Sequence, residues 1–366
     1  MAPSPGFFSG GVYGNLKSLK TRSFENLPSQ RIECPVWRPA CETLWRGTVK
    51  QSSRNLKLAC GFAMVSENDH STLIEHRFHE MGLRVSYGAH VDERDIFDSS
   101  SIASRVADLH DAFADPEVKA IITVIGGYNS NELLPHLDWD LNAASPKILC
   151  GYSDITALQN AILAHTGLVT YSGPHWSSFG MRNHFEETRR WFIDALFDGY
   201  KMELSPSLTW TDDTWFLDQD NRSILPGEGW WALQRGTASG HIIGGNLCTL
   251  NLLQGTGHMP SLNGAMLMLE DDSMTDPSTF ARDLASLLQT AEASEIRGLI
   301  IGRFQQATGM TREILKEIVS RQPTLAGLPV LANVDFGHTQ PQMTLPIGGQ
   351  SALNLESTSS LQIAEY

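Results

Sequence analysis

The sequence predicts an α/β protein in which the first half of the chain forms a parallel β-sheet. Residues 120–125 are a β-branched apolar run, which is typical of a strand buried on both faces of a parallel sheet. A helical spacing of apolar residues over 101–113 precedes this run, and strands and helices alternate in this way throughout the first half. The length of 366 residues indicates two domains, because one domain usually takes about 100–200 residues.

Residues 1–55 show no sustained periodicity of a strand or a helix, so we expect a poorly structured N-terminal extension. An N-terminal α/β domain is expected over residues 56–180. The predicted strands of this part are 54–65, 83–85, 120–125, 147–150 and 168–170, its predicted helices are 69–81, 101–113 and 154–165, and a short element is expected over 133–137.

Residues 181–237 are expected to cross between the domains, since much of this segment is rich in Trp, Asp, Pro and Gly. A C-terminal domain is expected over residues 238–366. Apart from a helix over 184–197 in the crossing segment, the predicted strands are 241–243, 265–269, 299–301, 330–332 and 343–347, and the predicted helices are 278–289 and 312–320.

Composition excludes several classes of function. A formal net charge of −14 argues against a nucleic-acid partner, because a phosphate backbone attracts basic surfaces. No apolar run approaches the roughly 18 residues that a membrane helix needs, so we expect no membrane span. The N-terminus lacks the basic and apolar regions of a secretory signal. The five cysteines are scattered without CxxC spacing, which indicates reduced thiols rather than disulfides or a zinc site.

Ser153 lies where an apolar run meets Gly151-Tyr152-Ser153-Asp154 and a helix-forming stretch begins. A tight turn at the end of a parallel strand is how α/β hydrolases expose a nucleophilic serine. The pattern is equally typical of a serine that caps a helix N-terminus, so both interpretations stay open on these residues alone.

Glu270 and His338 also follow apolar runs, at 266–269 and 330–332. Strand ends are where sites gather in α/β domains. A serine needs a base to take its proton, histidine titrates near pH 6.5, and a carboxylate orients the imidazole, so the three residues could form a catalytic triad. The alternatives are that Glu270 caps the following helix and that His338 lies in an ordinary turn.

Gly126 and Gly127 follow the buried run over 120–125. Without a Cβ, their backbone N–H groups can face a ligand. Together with the N–H of Asp154 they could form an oxyanion hole, although a tight strand-to-loop turn would also use glycines.

The sequence contains no clear pattern of a metal-binding or cofactor-binding site. His76, His79 and Glu80 lie within one helical turn and could bind a metal, but the solvated face of a helix explains them better. No GxGxxG or P-loop is present, so we expect no nucleotide cofactor. The tryptophans of the crossing segment could cover the core between the domains or form an aromatic wall for a substrate: Trp210, Trp215, Trp230 and Trp231.

From about Ser66 onwards the chain resembles the LD-carboxypeptidase family, and its closer branch looks like the microcin C immunity proteins. Five ordered motifs carry the resemblance: Gly126-Gly127-Tyr128-Asn129-Ser130-Asn131, Gly151-Tyr152-Ser153-Asp154-Ile155-Thr156-Ala157-Leu158, Gly244-Gly245-Asn246-Leu247, Leu269-Glu270-Asp271 and Phe336-Gly337-His338-Thr339.

The resemblance implies a flavodoxin-like N-terminal domain and a smaller C-terminal domain of mixed sheet with helices. It also implies a cytoplasmic, homodimeric serine peptidase without a metal. Ser153 would be the nucleophile, Glu270 the triad carboxylate and His338 the base, and the amides of Gly127 and Asp154 would hold the oxyanion.

Two substrate classes follow from the resemblance. LD-carboxypeptidases remove a D-amino acid from the tetrapeptide of cell-wall muropeptides, whereas the immunity branch cleaves an amide between a peptidyl or aminoacyl group and a modified nucleotide. In that branch an aromatic residue stacks on the base, a role that would fall to Trp215.

The sequence departs from the family near its first strand. Family members have an Ala-Pro-Ser-like turn there, whereas this chain reads Lys57-Leu58-Ala59-Cys60-Gly61-Phe62-Ala63. The alternative hypothesis is therefore a catalytically impaired binding or regulatory protein of the same fold.

Overall fold

A computed structural model describes residues 54–59, 70–198 and 201–364 of the chain. The predicted extension over residues 1–55 lies outside the described residues except for its last two positions. These positions begin the first strand, Arg54–Ala59. The second half of the predicted first strand, and with it part of the departure from the family, also lies outside them.

The strands and helices alternate over the first half, as predicted. The strands are, in chain order, β1 Arg54–Ala59, β2 Leu83–Tyr87, β3 Val118–Thr123, β4 Ile148–Gly151, β5 Thr170–Ser172, β6 Met202–Leu204, β7 Thr209–Trp210, β8 Leu225–Pro226, β9 Trp231–Gln234, β10 Thr237–Asn246, β11 Ala265–Glu270, β12 Gly298–Gly302, β13 Val330–Val334, β14 Leu345–Ile347, β15 Gln350–Asn354 and β16 Ser360–Ile363. The α-helices are α1 Ser71–Glu80, α2 Ile102–Ala114, α3 Trp139–Ala144, α4 Thr156–Thr166, α5 Glu186–Ile193, α6 Leu247–Asn251, α7 Pro277–Leu288 and α8 Arg312–Ser320.

Two segments of the first half form 3₁₀ turns that the prediction did not include. The element expected over 133–137 is a 3₁₀ turn, Ser130–His136. The helix expected from residue 154 is preceded by a 3₁₀ turn, Ser153–Ile155, so that α4 itself begins at Thr156.

The first sheet confirms the predicted parallel, flavodoxin-like arrangement. Its first five strands are parallel and lie in the order β2-β1-β3-β4-β5, which is the strand order of flavodoxin. The sixth strand, β14, pairs antiparallel with β5 at the edge. The sequence predicts this strand as part of the C-terminal domain, whereas the strand pairs with the first sheet. The pairing of a three-residue strand depends on where the chain returns, which local pattern does not encode.

The second sheet is mixed, as predicted. Its order is β6-β16-β15-β10-β11-β12-β13-β9, with parallel pairing from β10 to β13 and antiparallel pairing elsewhere. The two edge strands, β6 and β9, come from the segment that we expected only to cross between the domains.

Helix α4, which follows Ser153, packs in one apolar core with residues of both sheets. Its Ala157, Leu158, Ala161 and Ile162 are buried in this core, as are Leu149 of β4 in the first sheet and Leu267 of β11 in the second. The helix is therefore fixed between the two sheets, and burial of apolar surface stabilises this position.

Polar contacts set the position of α4 against β10. The Thr156 Oγ1 atom accepts a hydrogen bond from the Asn246 N–H at 2.9 Å, and Asn160 Nδ2 donates to the Gly244 carbonyl at 2.8 Å. Asn246 is in register with Glu270 of the neighbouring strand. The helix that follows Ser153 is thereby linked to the strand end that carries Glu270.

Among the helices that the structure describes, none combines the length and apolar character that a membrane span requires.

Candidate active site

The ends of three strands bring the predicted triad residues together. Ser153 follows β4, Glu270 is the last residue of β11, and His338 lies four positions after the end of β13. His338 Nδ1 lies 2.7 Å from Glu270 Oε2, and its Nε2 lies 3.1 Å from Ser153 Oγ. These contacts form a continuous chain from carboxylate to imidazole to hydroxyl, within the range expected of a nucleophile and its base.

Ser153 occupies a strained turn. Its φ is 62°, in the left-handed region that non-glycine residues rarely adopt. A Cβ on Gly126 would lie 2.9 Å from the Ser153 Cβ, so the two segments approach too closely for any larger residue. The N-cap position of α4 is taken by Ile155, and the Ser153 hydroxyl faces His338. The geometry therefore favours a hydroxyl that is paired with the imidazole over a capping role.

Glu270 is held in a buried position, with 2% of its surface exposed. Gly337 has a φ of 97°, and a side chain there would overlap the Glu270 carboxylate. The helix after Glu270 begins at Pro277 and is capped by the Asp276 side chain, so the capping alternative for Glu270 does not apply.

Charge near His338 favours its protonated form. Burial of the ring opposes protonation, but the charge and hydrogen bond of Glu270, aided by Asp272 and Asp271, outweigh burial and raise the pKa of His338 above 6.5. The side chain is 17% exposed. The imidazolium that a proton transfer would create is thus stabilised where it forms.

His175 was not singled out from the sequence. Its ring stacks on Tyr152 with centroids 4.0 Å apart, and Tyr152 in turn meets the His338 ring edge-on at 5.1 Å. His175 Nε2 lies 3.2 Å from the Tyr152 backbone N and 3.0 Å from its carbonyl O. Burial lowers the pKa of His175 to about 3, so the ring is neutral and packs beneath the turn of Ser153. Its place just after β5, at the same sheet edge, is the signal that could have found it.

Two backbone amides beside Ser153, those of Gly127 and Asp154, have no hydrogen-bond acceptor among the residues that the structure describes. The Asp154 carboxylate accepts from the Ser130 N–H at 2.8 Å, and the Ser130 hydroxyl donates to the Asp154 carbonyl. These bonds hold the loop of Gly126 and Gly127 against the turn of Ser153. Backbone N–H groups in this position can donate hydrogen bonds to an oxygen that develops negative charge.

Asp271 adds a second buried carboxyl beside Glu270. Its Oδ1 accepts from Asn246 Nδ2 at 3.1 Å and from the Asp272 N–H at 3.0 Å. Burial, together with the charge of Glu270, raises the pKa of Asp271 to about 7. The Asp271 carboxyl therefore changes charge close to neutral pH.

The four tryptophans of the crossing segment have different surroundings. Trp230 and Trp231 are partly buried against the cores, and Trp210 stacks under the Arg303 guanidinium at 5.2 Å. Trp215 is also partly buried, and its ring centroid lies 6.0 Å from that of Phe216. All four are thus engaged in packing, ring or ionic contacts, and the proposal of a ligand contact for Trp215 comes from the resemblance of the sequence to the family.

The possible metal site on α1 is a solvated helix face. His76, His79 and Glu80 are exposed, and His76 Nδ1 lies 3.6 Å from Glu80 Oε1. Over the ranges that the structure describes, no group of three or more His, Cys, Asp or Glu side chains is arranged to hold a metal.

Comparison with known proteins agrees with this architecture. The profile of the LD-carboxypeptidase N-terminal domain matches residues 58–173, and that of the C-terminal domain matches residues 239–353. The YocD protein of Bacillus subtilis (strain 168), named as a candidate carboxypeptidase, is 48% identical over 287 residues. This alignment covers 78% of this chain and 88% of YocD.

Two solved structures share the fold. The crystal structure of an MccF-like protein from Bacillus anthracis strain Ames superposes with a TM-score of 0.84 at 46% identity, covering 87% of this chain and 98% of that one. The structure of MccF in complex with glutamyl sulfamoyl guanosine gives a TM-score of 0.77 at 26% identity, covering 87% and 97%. The chain therefore belongs to the LD-carboxypeptidase family.

Proposed function

We propose that this protein is a serine hydrolase that cleaves amide bonds with Ser153, His338 and Glu270. The observation that carries the proposal is the chain of contacts from Glu270 through His338 to Ser153, at 2.7 Å and 3.1 Å. The strained turn of Ser153 and the raised pKa of His338 support the same roles.

In the acylation step, Ser153 Oγ attacks the amide carbonyl carbon while its proton moves to His338 Nε2. Glu270 holds Nδ1 and stabilises the imidazolium. The N–H groups of Gly127 and Asp154 donate to the oxyanion of the tetrahedral intermediate. The intermediate collapses when the C–N bond breaks and His338 gives its proton to the leaving nitrogen, which leaves an acyl group on Ser153.

Deacylation repeats these roles with water. His338 takes a proton from the water molecule as its oxygen attacks the acyl carbon, and it then returns the proton to Ser153 Oγ as the ester bond breaks. The products are a free amine and a carboxylic acid. No further reactant is required.

Two substrate classes fit the family and its relatives. One is an L,D-peptide, as the family name indicates, and the muropeptide type is what the resemblance of the sequence implies. The other is an aminoacyl or peptidyl group joined to a nucleotide, because the related MccF structure holds glutamyl sulfamoyl guanosine. We propose that Trp215 stacks on the base of a nucleotide substrate, and that Gly126 and Gly127 line the side on which the acyl group binds.

A hydrolysis screen tests the proposal. The purified protein is incubated with an L,D-tetrapeptide and with an aminoacyl-sulfamoyl adenosine, and products are followed by mass spectrometry. We expect turnover of one of them, and loss of that turnover in a folded Ser153→Ala variant. Binding without turnover in the wild-type protein would instead favour the impaired binding protein.

The family resemblance also leads us to propose a homodimer that works in the cytoplasm. Sedimentation velocity over a range of protein concentrations tests the dimer. A single species at the monomer mass throughout would contradict it.

A further inference from the structure

Asp335 is a fully buried carboxylate three positions before His338. It accepts hydrogen bonds from the Ser207 N–H at 3.2 Å, from the Ser207 hydroxyl, and from Trp230 Nε1 at 3.2 Å. The Arg303 guanidinium lies 2.7 Å from the same carboxylate. The donors Ser207 and Trp230 are far away in sequence and belong to residues 205–231, which we call the aromatic segment.

The main chain of Asp335 closes the loop that carries His338. The Asp335 carbonyl accepts from the Met343 N–H at 2.6 Å, and Gln342 Nε2 donates to the Gly337 carbonyl at 2.9 Å. His338 therefore lies in a loop whose two ends meet at Asp335. A movement of Asp335 would be passed directly to the imidazole.

The aromatic segment meets this loop at a second point. Thr211 and Gln340 exchange two backbone hydrogen bonds, each of 2.8 Å. Gln340 lies two positions after His338, so the segment holds the loop on both sides of the imidazole.

Arg303 is also fixed from several sides. Its Nε donates to Asn333 Oδ1 at 3.2 Å, and its guanidinium lies over the Trp210 ring. Burying an ion pair is a poor way to gain stability, because the cost of desolvation offsets most of the attraction. Such a pair does select one geometry, since its hydrogen bonds are lost when either partner shifts.

We infer that Asp335 is a positioning residue, which holds the aromatic segment against the His338 loop and keeps the imidazole aligned between Glu270 and Ser153. The inference rests on the proposed function, because it concerns the alignment of the base in that reaction. Ser207 and Trp230, which donate hydrogen bonds to Asp335, thus act on the position of the imidazole without touching the reacting atoms.

The test removes each donor while leaving the buried ion pair in place. Ser207→Ala deletes one hydroxyl, and Trp230→Phe deletes the indole N–H but keeps an aromatic ring. The matched controls are Ser205→Ala, an exposed serine two positions away, and Trp231→Phe, the neighbouring tryptophan. For each protein, the rate constant of Ser153 modification by a fluorophosphonate is measured between pH 5 and 9. The thermal midpoint of unfolding of each protein is measured as well.

We expect both donor variants to react about tenfold more slowly than the controls, with the acid midpoint of the pH profile moved towards 6.5. The midpoint moves because a looser imidazole loses part of the Glu270 hydrogen bond that raises its pKa. The other ionisable groups that face His338 are unchanged in all variants: Tyr152, His175, Asp271 and Asp272.

The outcomes separate the two proposals. Wild-type protein that shows no Ser153-dependent labelling overturns the proposed function itself. Wild-type labelling with donor variants that match their controls in rate and midpoint overturns the role of Asp335. A lower thermal midpoint with an unchanged rate and pH profile would assign the network to stability alone, and would also overturn that role.

Discussion

The Nε2 atom of His338 lies 3.1 Å from the Oγ atom of Ser153, although the two residues are 185 positions apart in the chain. The first sheet contributes the serine and the last parallel strand of the second sheet leads to the histidine. The contact therefore depends on how the two sheets pack. Helix α4, buried between them and hydrogen-bonded to β10, fixes that packing.

The charge of Glu270 should set the pH dependence of activity. Only neutral His338 can accept the Ser153 proton, so activity should rise with pH through a midpoint above 6.5. In Glu270→Gln the pKa of His338 falls, so the acid limb of kcat/KM should move to lower pH. We expect kcat to fall about 10⁴-fold, as when other triad carboxylates become amides. Glu295→Gln, at an exposed position, serves as the control, and an acid limb that does not move would refute the assignment.

The lack of a side chain at Gly337 should be essential for the triad. A Cβ there would overlap the Glu270 carboxylate, and the φ of 97° strains any other residue. We expect Gly337→Ala to lower kcat by about 10²-fold or more, because small misplacements of catalytic groups have effects of this size. Gly309→Ala separates strain from overlap, since Gly309 has a φ of 68° and a Cβ added there would meet no atom within 4 Å. Equal losses in both variants would contradict this explanation.

Asp271 should make the protein less stable as pH rises towards neutrality. Its pKa is about 7 in the folded state, against about 3.9 in an unfolded chain. Between about pH 4 and 7 the folded state binds more protons, so the free energy of unfolding falls as pH rises through this window.

The variant Asp271→Asn removes this titration and keeps an acceptor for Asn246. We expect its thermal midpoint, relative to that of the wild type, to be about 3 °C or more higher at pH 8 than at pH 5. Thermal melts at both pH values provide the measurement. A difference between the two proteins that is the same at pH 5 and pH 8 would rule out the titration of Asp271 as the cause.

Trp215 should matter for one substrate class only. Stacking of a base on an aromatic ring contributes about 1–3 kcal/mol, so Trp215→Ala should raise KM for an aminoacyl-sulfamoyl adenosine about tenfold with little change in kcat. Hydrolysis of an L,D-tetrapeptide should be unaffected. The control is Leu217→Ala, since Leu217 is 67% exposed in the same loop. An equal loss of kcat/KM for both substrates would mean that Trp215 supports the folded structure and does not contact the base.

The strand ends could be predicted from the sequence because buried parallel strands leave a clear pattern. The run before Gly126 and the run before Ser153 both lack alternation, and both end in polar or glycine residues. The same reasoning located Glu270 and His338. Within each sheet the carboxyl ends of the parallel strands share one edge, which places Gly126 beside Ser153 and Glu270 beside His338; the packing of the two sheets brings the pairs together.

The remaining features depend on contacts between distant segments. The pairing of β14 with β5, and of β6 and β9 with the second sheet, involves strands of three or four residues whose own pattern is weak. The left-handed backbone of Ser153 has no signal in its residue type, since serine rarely adopts that conformation. Ser207 and Asp335 are 128 positions apart, so local patterns could not pair them.

The most direct test of the central claim is the mass of the protein after reaction with a fluorophosphonate, with the modified peptide identified by mass spectrometry. We predict one adduct per chain, located on Ser153, and a reaction at least about 10²-fold slower in His338→Gln, because the serine then lacks its base. An adduct on another residue, or equal rates in the wild type and His338→Gln, would contradict the claim that Ser153 is a nucleophile activated by His338.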